Sequence, residues 1–277
     1  MNKKFYKNEK FQAWFFPLLY LVLSVSVVIT GVFIFNKKFY QPIVVDGKSM
    51  WPTLAGGDYN FTPDADHPYS SALRYHYGLA DLHRSSVENL KRFDVLVTYY
   101  PDSWGTDKFD TVTGKYDKTY KIKRLWGFPG ETINLSFADN TYTFTVKNGE
   151  KEIYKITSQP VSSFTQTFES EYEQGGSYHY ANREVTRSVA EFKLPDKSFR
   201  VVSSSRTITN KTLGKDEYYV MGDNWGGSTD CYEKSSTEPL RKKDIQGRVI
   251  CINAYVTYDE KTKETLRMHK IKERYDF

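Results

Sequence analysis

The sequence predicts a mainly β protein that follows a single N-terminal membrane-spanning helix. Three observations lead there. Residues 13–35 run without a charged side chain, long enough as a helix to cross about 30 Å of hydrocarbon. Aromatic residues make up 16% of the chain, with 22 tyrosines, a bias that favours strands. Short downstream runs alternate apolar and polar residues, as in Tyr142-Thr143-Phe144-Thr145-Val146 and Ser198-Phe199-Arg200-Val201-Val202, the period of strands with one wet face. At 277 residues, with 39% apolar and 26% charged side chains, the chain has a folded protein's composition and can bury a full core.

Taken in order, the first ten residues carry Lys3, Lys4, Lys7 and Lys10 against Glu9 alone, and Lys37 and Lys38 follow the apolar run. That balance points to a cytoplasmic tail over residues 1–11 and to an extracytoplasmic location for everything beyond the span. The span, placed at 12–36, is longer than the core of a secretory signal. No small-x-small cleavage pattern lies in Asn36-Lys37-Lys38-Phe39-Tyr40-Gln41, so it reads as an uncleaved anchor. Pro17 falls near its first turns, where proline is tolerated. Residues 41–45 read as a short strand that delivers Ser49 in a turn, and Trp51-Pro52-Thr53-Leu54 brings the chain back. Residues 60–90 are polar and aromatic, broken by Pro63, Asp64, Asp66 and Pro68. A short helix is expected over 80–90, with Ser85 or Ser86 as cap and Glu88 in its first turn. Residues 93–100 read as a strand buried on both faces. A charged hairpin turning at Thr113-Gly114-Lys115 leads into a strand over 118–126. Residues 135–212, rich in Ser, Thr, Tyr, Glu and Lys, read as antiparallel strands. Residues 259–277 mix both charges and read as a solvated helix or loose end.

Several function classes fall away at this level. The net charge of +5 is mild, and no Lys/Arg block marks a nucleic-acid binder. Cys231 and Cys251 belong to no C-x-x-C pair, the five histidines are scattered, and no H-E-x-x-H occurs. No metal site and no cofactor is therefore expected.

Four stretches carry chemistry. They are Asp46-Gly47-Lys48-Ser49-Met50-Trp51-Pro52-Thr53-Leu54; Phe93-Asp94-Val95-Leu96-Val97; the run from Tyr120-Lys121-Ile122-Lys123-Arg124-Leu125-Trp126 to Gly127-Phe128-Pro129-Gly130-Glu131; and Tyr219-Val220-Met221-Gly222-Asp223-Asn224 with Ser228-Thr229-Asp230. A serine hydroxyl attacks only if a neighbour takes its proton. No motif contains histidine, so the candidate base is a lysine whose pKa burial has lowered. By strand alternation Lys121 and Lys123 share a face, and geometry alone does not choose between them.

Together and in this order, these stretches resemble the boxes of type I signal peptidases, membrane-bound serine proteases with a Ser/Lys dyad. The likeness runs from the membrane segment to about residue 250. It implies a β-rich catalytic domain over 40–134 and 213–258, an inserted second β domain over 135–212 and a charged tail over 259–277. It also implies an endopeptidase that cuts N-terminal signal peptides from exported preproteins after small residues. The lysine directly before the arginine is the family's base, which selects Lys123 beside the nucleophile Ser49. The Ser49 backbone N–H would be one oxyanion donor, and Gly47 stands where some members place a second, hydroxyl donor. Asp223 is expected to pair with Arg124, Ser228 to bond the Lys123 amine, and Asp230 to have a structural role. Trp225, Cys231 and Tyr232 depart from the family pattern, which places arginine, serine and arginine there. The substrate would add as a strand at Val45 and Asp46, with Ile43 and Val97 as candidate pocket residues. The lipid bilayer is a second expected partner, met by a rim of Met50 and Trp51. Two competing readings are a non-proteolytic factor for assembling pilin-like surface proteins and a self-cleaving repressor. The presence of both Ser49 and Lys123 counts against the first; the anchor and the lack of a DNA-binding segment count against the second.

Overall fold

The computed structural model describes residues 9–45, 47–54, 72–104, 108–110, 115–174, 177–234, 239–259 and 265–276. It separates into two units, Met1–Gln41 and Pro42–Phe277. The first is built on α1 (Glu9–Phe39). Its stretch Gln12–Phe33 is long and apolar enough to cross a membrane, and side chains such as Leu21, Val27 and Ile29 are exposed along it. Pro17 sits inside the helix, two turns from its start, where its missing N–H removes one i→i−4 hydrogen bond.

The second unit is β. Its strands are β1 (Tyr40–Val44), β2 (Ala72–Asp81), β3 (Val95–Thr98), β4 (Lys108–Asp110), β5 (Lys115–Asp117), β6 (Lys121–Gly127), β7 (Thr132–Ala138), β8 (Thr141–Asn148) and β9 (Lys151–Thr157). They continue as β10 (Ser162–Gln174), β11 (Ser177–Lys193), β12 (Ser198–Val202), β13 (Ile208–Thr212), β14 (Glu217–Met221), β15 (Leu240–Arg241), β16 (Ile245–Asp259) and β17 (Thr265–Asp276). One short helix, α2 (Arg84–Glu88), lies between β2 and β3. The largest sheet has eight strands in the order β1-β2-β16-β3-β6-β14-β15, with β17 also on β16. A four-stranded sheet runs β13-β7-β8-β9, a three-stranded one β10-β11-β12, and β4 pairs with β5.

The alternating runs behave as their period requires. In β8 Tyr142, Phe144 and Val146 are buried between partly exposed neighbours, and in β12 Phe199 and Val201 point inward. One aromatic cluster links these sheets to β6. Trp126 meets Phe93 at 5.0 Å, Phe144 at 5.0 Å and Phe192 at 5.6 Å between ring centres, all edge-on, the arrangement aromatic quadrupoles favour.

Four expectations need correction. The strand expected over 93–100 is only β3, because Phe93 adopts φ 68° in a turn and its N–H bonds the Leu125 carbonyl at 2.7 Å. The helix expected over 80–90 is only α2, with His83 as its N-cap. Ala80 and Asp81 end β2, the buried Ser86 hydroxyl donates to carbonyls of the preceding turn, and Glu88 closes the helix in an ion pair with Arg84. Within the stretch 60–90, residues 72–81 form β2. The described part of the tail, residues 265–276, is neither helix nor loose end: it is β17, which pairs with β16 from Cys251 to Tyr258. In both cases β16, fifteen residues long, offers unpaired backbone groups that the added segment satisfies. Pro63, Asp64, Asp66, Pro68 and the Thr113-Gly114 turn lie outside the described residues.

Phe144 is fully buried in the aromatic cluster. Phe144→Ala is expected to lower unfolding free energy by about 3–5 kcal/mol, read by denaturant titration with tryptophan fluorescence.

Candidate active site

Ser49 sits in a turn after β1. Gly47 enters it at φ 87°, a conformation that side chains resist. The turn closes through Trp51 N–H to the Lys48 carbonyl at 3.1 Å and Leu54 N–H to the Met50 carbonyl at 2.9 Å. A second segment holds it from outside. Asn224 donates its N–H to the Ser49 carbonyl at 3.0 Å and its Nδ2 to the Lys48 carbonyl at 3.1 Å. Gly222 allows this approach, since a Cβ there would lie 2.3 Å from the Ser49 carbonyl oxygen and 2.2 Å from Ser228 Oγ.

Lys123 lies in β6, opposite Leu96 of β3, with β14 on the other edge. Flanked on both sides, its side chain is only 2% exposed. Its Nζ is 2.8 Å from Ser49 Oγ, donates to the Ile122 carbonyl at 2.9 Å and stands 5.7 Å from the Tyr100 ring centre. Burial lowers its pKa to about 8; Lys121 and Arg206 lower it too, whereas Asp230 and Asp223 act in the opposite sense. Lys121 shares the face, as alternation requires, but its Nζ donates to Thr119 Oγ1 at 2.5 Å. The tertiary structure thus separates two lysines that the strand pattern left equivalent.

Behind the lysine are two buried ion pairs. The expected Arg124–Asp223 pair is present as a two-point fork, Nε to Oδ1 at 2.8 Å and Nη2 to Oδ2 at 2.6 Å. Arg124 also donates to the Phe93 carbonyl and lies 4.2 Å from the Phe199 ring centre. Thr53, which the sequence did not single out, donates to Asp223 Oδ2 at 2.5 Å and so ties the Ser49 turn to the pair. The second pair was also missed. Asp230 accepts Arg206 Nη1 on both oxygens, at 3.0 and 2.8 Å, and Gly222 N–H at 2.9 Å. Nothing in the Ser203-Ser204-Ser205-Arg206 run marks this arginine. The only hint is a carboxylate whose own box lacks a cation. Trp225, where the family pattern has arginine, is buried between Trp126 at 5.8 Å and Tyr142 at 4.9 Å.

Other expected site residues fall elsewhere. Ser228 is buried beside Gly222, and its hydroxyl makes no hydrogen bond to Lys123 or to any described group. Met50 and Trp51, expected at a lipid-facing rim, are each 1% exposed. Met50 belongs to a core with Val45, Leu54 and Val95. Trp51 is covered by Val185, Val202 and Phe164, because the turn folds this segment inward beneath β10, β11 and β12. Val97 is buried core and Ile43 lies partly buried against the same cluster. Val45 N–H is taken by the His76 carbonyl at 2.9 Å, and Asp46 lies outside the described residues. Cys231 and Cys251 are both buried and unpaired. Among the described residues, no group of three or more His, Cys, Asp or Glu could hold a metal ion.

Comparison with known proteins identifies the family. The family model described as signal peptidase, peptidase S26, matches residues 18–253. The chain belongs to the signal peptidase family. The match runs from within α1 into β16 and includes Ser49, Lys123, Arg124, Arg206, Asp223 and Asp230. Two curated relatives are both named Signal peptidase I P, from Bacillus subtilis subsp. natto. One is 24% identical over 228 residues, covering 82% of this chain and 83% of the relative. The other is 26% identical over 228 residues, covering 80% and 81%. With α1, the signal peptidase family membership makes this a membrane-anchored peptidase.

Removing one partner of a buried charge pair leaves the other uncompensated. Asp223→Ala is expected to destabilise the protein by about 3–5 kcal/mol. The double replacement Arg124→Met/Asp223→Leu should recover most of that loss in the same denaturant titration.

Proposed function

We propose that this chain is a Ser/Lys endopeptidase that removes N-terminal signal peptides from exported preproteins, cutting after small residues. Its N-terminus would be cytoplasmic and its β unit would work on the other side of the membrane. The observation that carries the reading is the 2.8 Å contact between Lys123 Nζ and Ser49 Oγ at a position shielded from water. A hydroxyl held against an uncharged amine can lose its proton as it attacks.

In the proposed sequence, Ser49 Oγ adds to the scissile carbonyl carbon while its proton passes to Lys123 Nζ. The carbonyl oxygen becomes an oxyanion facing the Ser49 N–H, which has no acceptor among the described residues. Gly47 brings no hydroxyl, and the space a Cβ would occupy there is open. Collapse of the adduct breaks the C–N bond, and the Lys123 ammonium protonates the departing amine. Water, deprotonated by the same lysine, then hydrolyses the acyl-enzyme. Segment 135–212 is proposed as an insertion whose aromatic side chains brace β6 from behind.

Ser49→Ala and Lys123→Ala are each expected to reduce preprotein cleavage to background while far-UV circular dichroism is retained. Lys123→Arg should remain inactive, because a guanidinium stays protonated. The active form is the uncharged amine, so activity should rise with pH through a midpoint near the lysine's pKa of about 8. Near wild-type cleavage by Lys123→Ala would refute the mechanism.

A further inference from the structure

We infer that Arg206 is a positioning residue for the Ser49/Lys123 centre, cancelling the buried Asp230 charge behind the lysine and fastening the segment that clamps the Ser49 turn. The inference rests on the proposed Ser/Lys reading. Asp230 has no exposed surface, and a bare carboxylate there would favour a charged lysine. The two residues after it, Cys231 and Tyr232, bring no cation. Arg206 arrives instead from between β12 and β13, itself buried, with Nη1 set between both oxygens of the Asp230 carboxylate. Its Nη2 donates to the Ser228 carbonyl at 3.1 Å, and its guanidinium lies 4.7 Å from the Tyr232 ring centre.

The segment that delivers Arg206 is itself held. Tyr142 Oη is 3.0 Å from Ser203 Oγ and also donates to the Ser204 carbonyl. From Asp230 the connection reaches the serine in two steps: Gly222 N–H bonds the carboxylate, and Asn224, two residues on, holds the Ser49 and Lys48 carbonyls. The charged groups acting on Lys123 are Lys121 on its own strand, Asp223 and Asp230 after β14, and Arg206. Arg124 forks onto Asp223, and the Tyr100 ring faces both lysines.

The test is the pH profile of kcat/KM for the purified full chain in lipid vesicles, with a preprotein as substrate. Arg206→Gln should move the acid limb up by about one pH unit, seen as an about tenfold loss at pH 7 that recovers at higher pH. Asp230→Asn, leaving Arg206 unopposed, should move the limb down. The double variant Arg206→Gln/Asp230→Asn should return it towards wild type, and Arg206→Lys should keep it in place. A purely structural role would lower the rate at every pH without moving the limb, and that result in the folded variants overturns the inference. Should Arg206→Gln lose its circular dichroism signal, the opposite shift in Asp230→Asn and the retained limb in Arg206→Lys decide the matter. Ser49→Ala in the same assay separates the two levels. Activity surviving there defeats the Ser/Lys reading itself, whereas an unmoved limb beside an inactive Ser49→Ala defeats only the role of Arg206.

Discussion

An amine that is to be uncharged near neutral pH has to be kept from water, and the burial of Lys123 is the constraint on which the rest of the β unit depends. Desolvation can lower a lysine pKa by as much as about 3–5 units when nothing opposes it. Here two buried carboxylates, Asp223 and Asp230, do oppose it. Each is matched by a guanidinium, Arg124 on the first and Arg206 on the second. The surroundings of the lysine are therefore charged group by group but close to neutral as a whole, and burial remains the largest influence on its pKa. Buried ion pairs are weak contributors to net stability. Their value in this fold is geometric: the Arg124–Asp223 pair is a two-point fork, which fixes orientation as well as distance, and Arg206 adds the Ser228 carbonyl to its contact with Asp230.

Those same pairs tie together segments far apart in the chain. Asp223 is reached by Arg124 from β6 and by Thr53 from the Ser49 turn, separations of 99 and 170 residues. Asp230 joins Arg206 to the Gly222 backbone. The Gly222-Asp223-Asn224 stretch becomes the hub between the lysine strand and the serine turn, and a side chain at Gly222 would push them apart. Behind β6 the aromatic cluster supplies the stiffness. Phe93, Trp126, Phe144, Phe192 and Phe199 share one core, so a shift of β6 would disturb several edge-on ring contacts at once.

The departures from the usual signal-peptidase boxes follow one physical pattern. Where the family pattern places cations, this chain has Trp225 and Tyr232. Trp225 extends the aromatic core between Trp126 and Tyr142, and Tyr232 offers its ring to Arg206. The cation that Asp230 needs comes from another part of the chain, and aromatic surface occupies the positions of the lost charges.

Much of this was legible in one dimension. The uncharged run of residues 13–35 forces a helix of membrane length, and the period-2 runs around Tyr142 and Phe199 force half-buried strands, because local backbone geometry alone sets which side chains share a face. The four boxes, through their resemblance to a known family, named Ser49, Lys123, Arg124 and Asp223. What the sequence could not convey was anything decided by segments meeting across the fold. Lys121 and Lys123 have the same parity; the resemblance chose Lys123, but the physical contact that separates them, the approach of the Ser49 turn to β6, exists only in the fold. Trp51 has the composition of a lipid-facing rim, yet the three-stranded β10-β11-β12 sheet covers it. Segments 72–81 and 265–276, of mixed composition, become strands because β16 offers them unsatisfied backbone. Arg206 and Asp230 lie 24 residues apart, with no period or motif between them. Their pairing exists because burial of a carboxylate demands a cation, and the tertiary structure determines which cation is within reach.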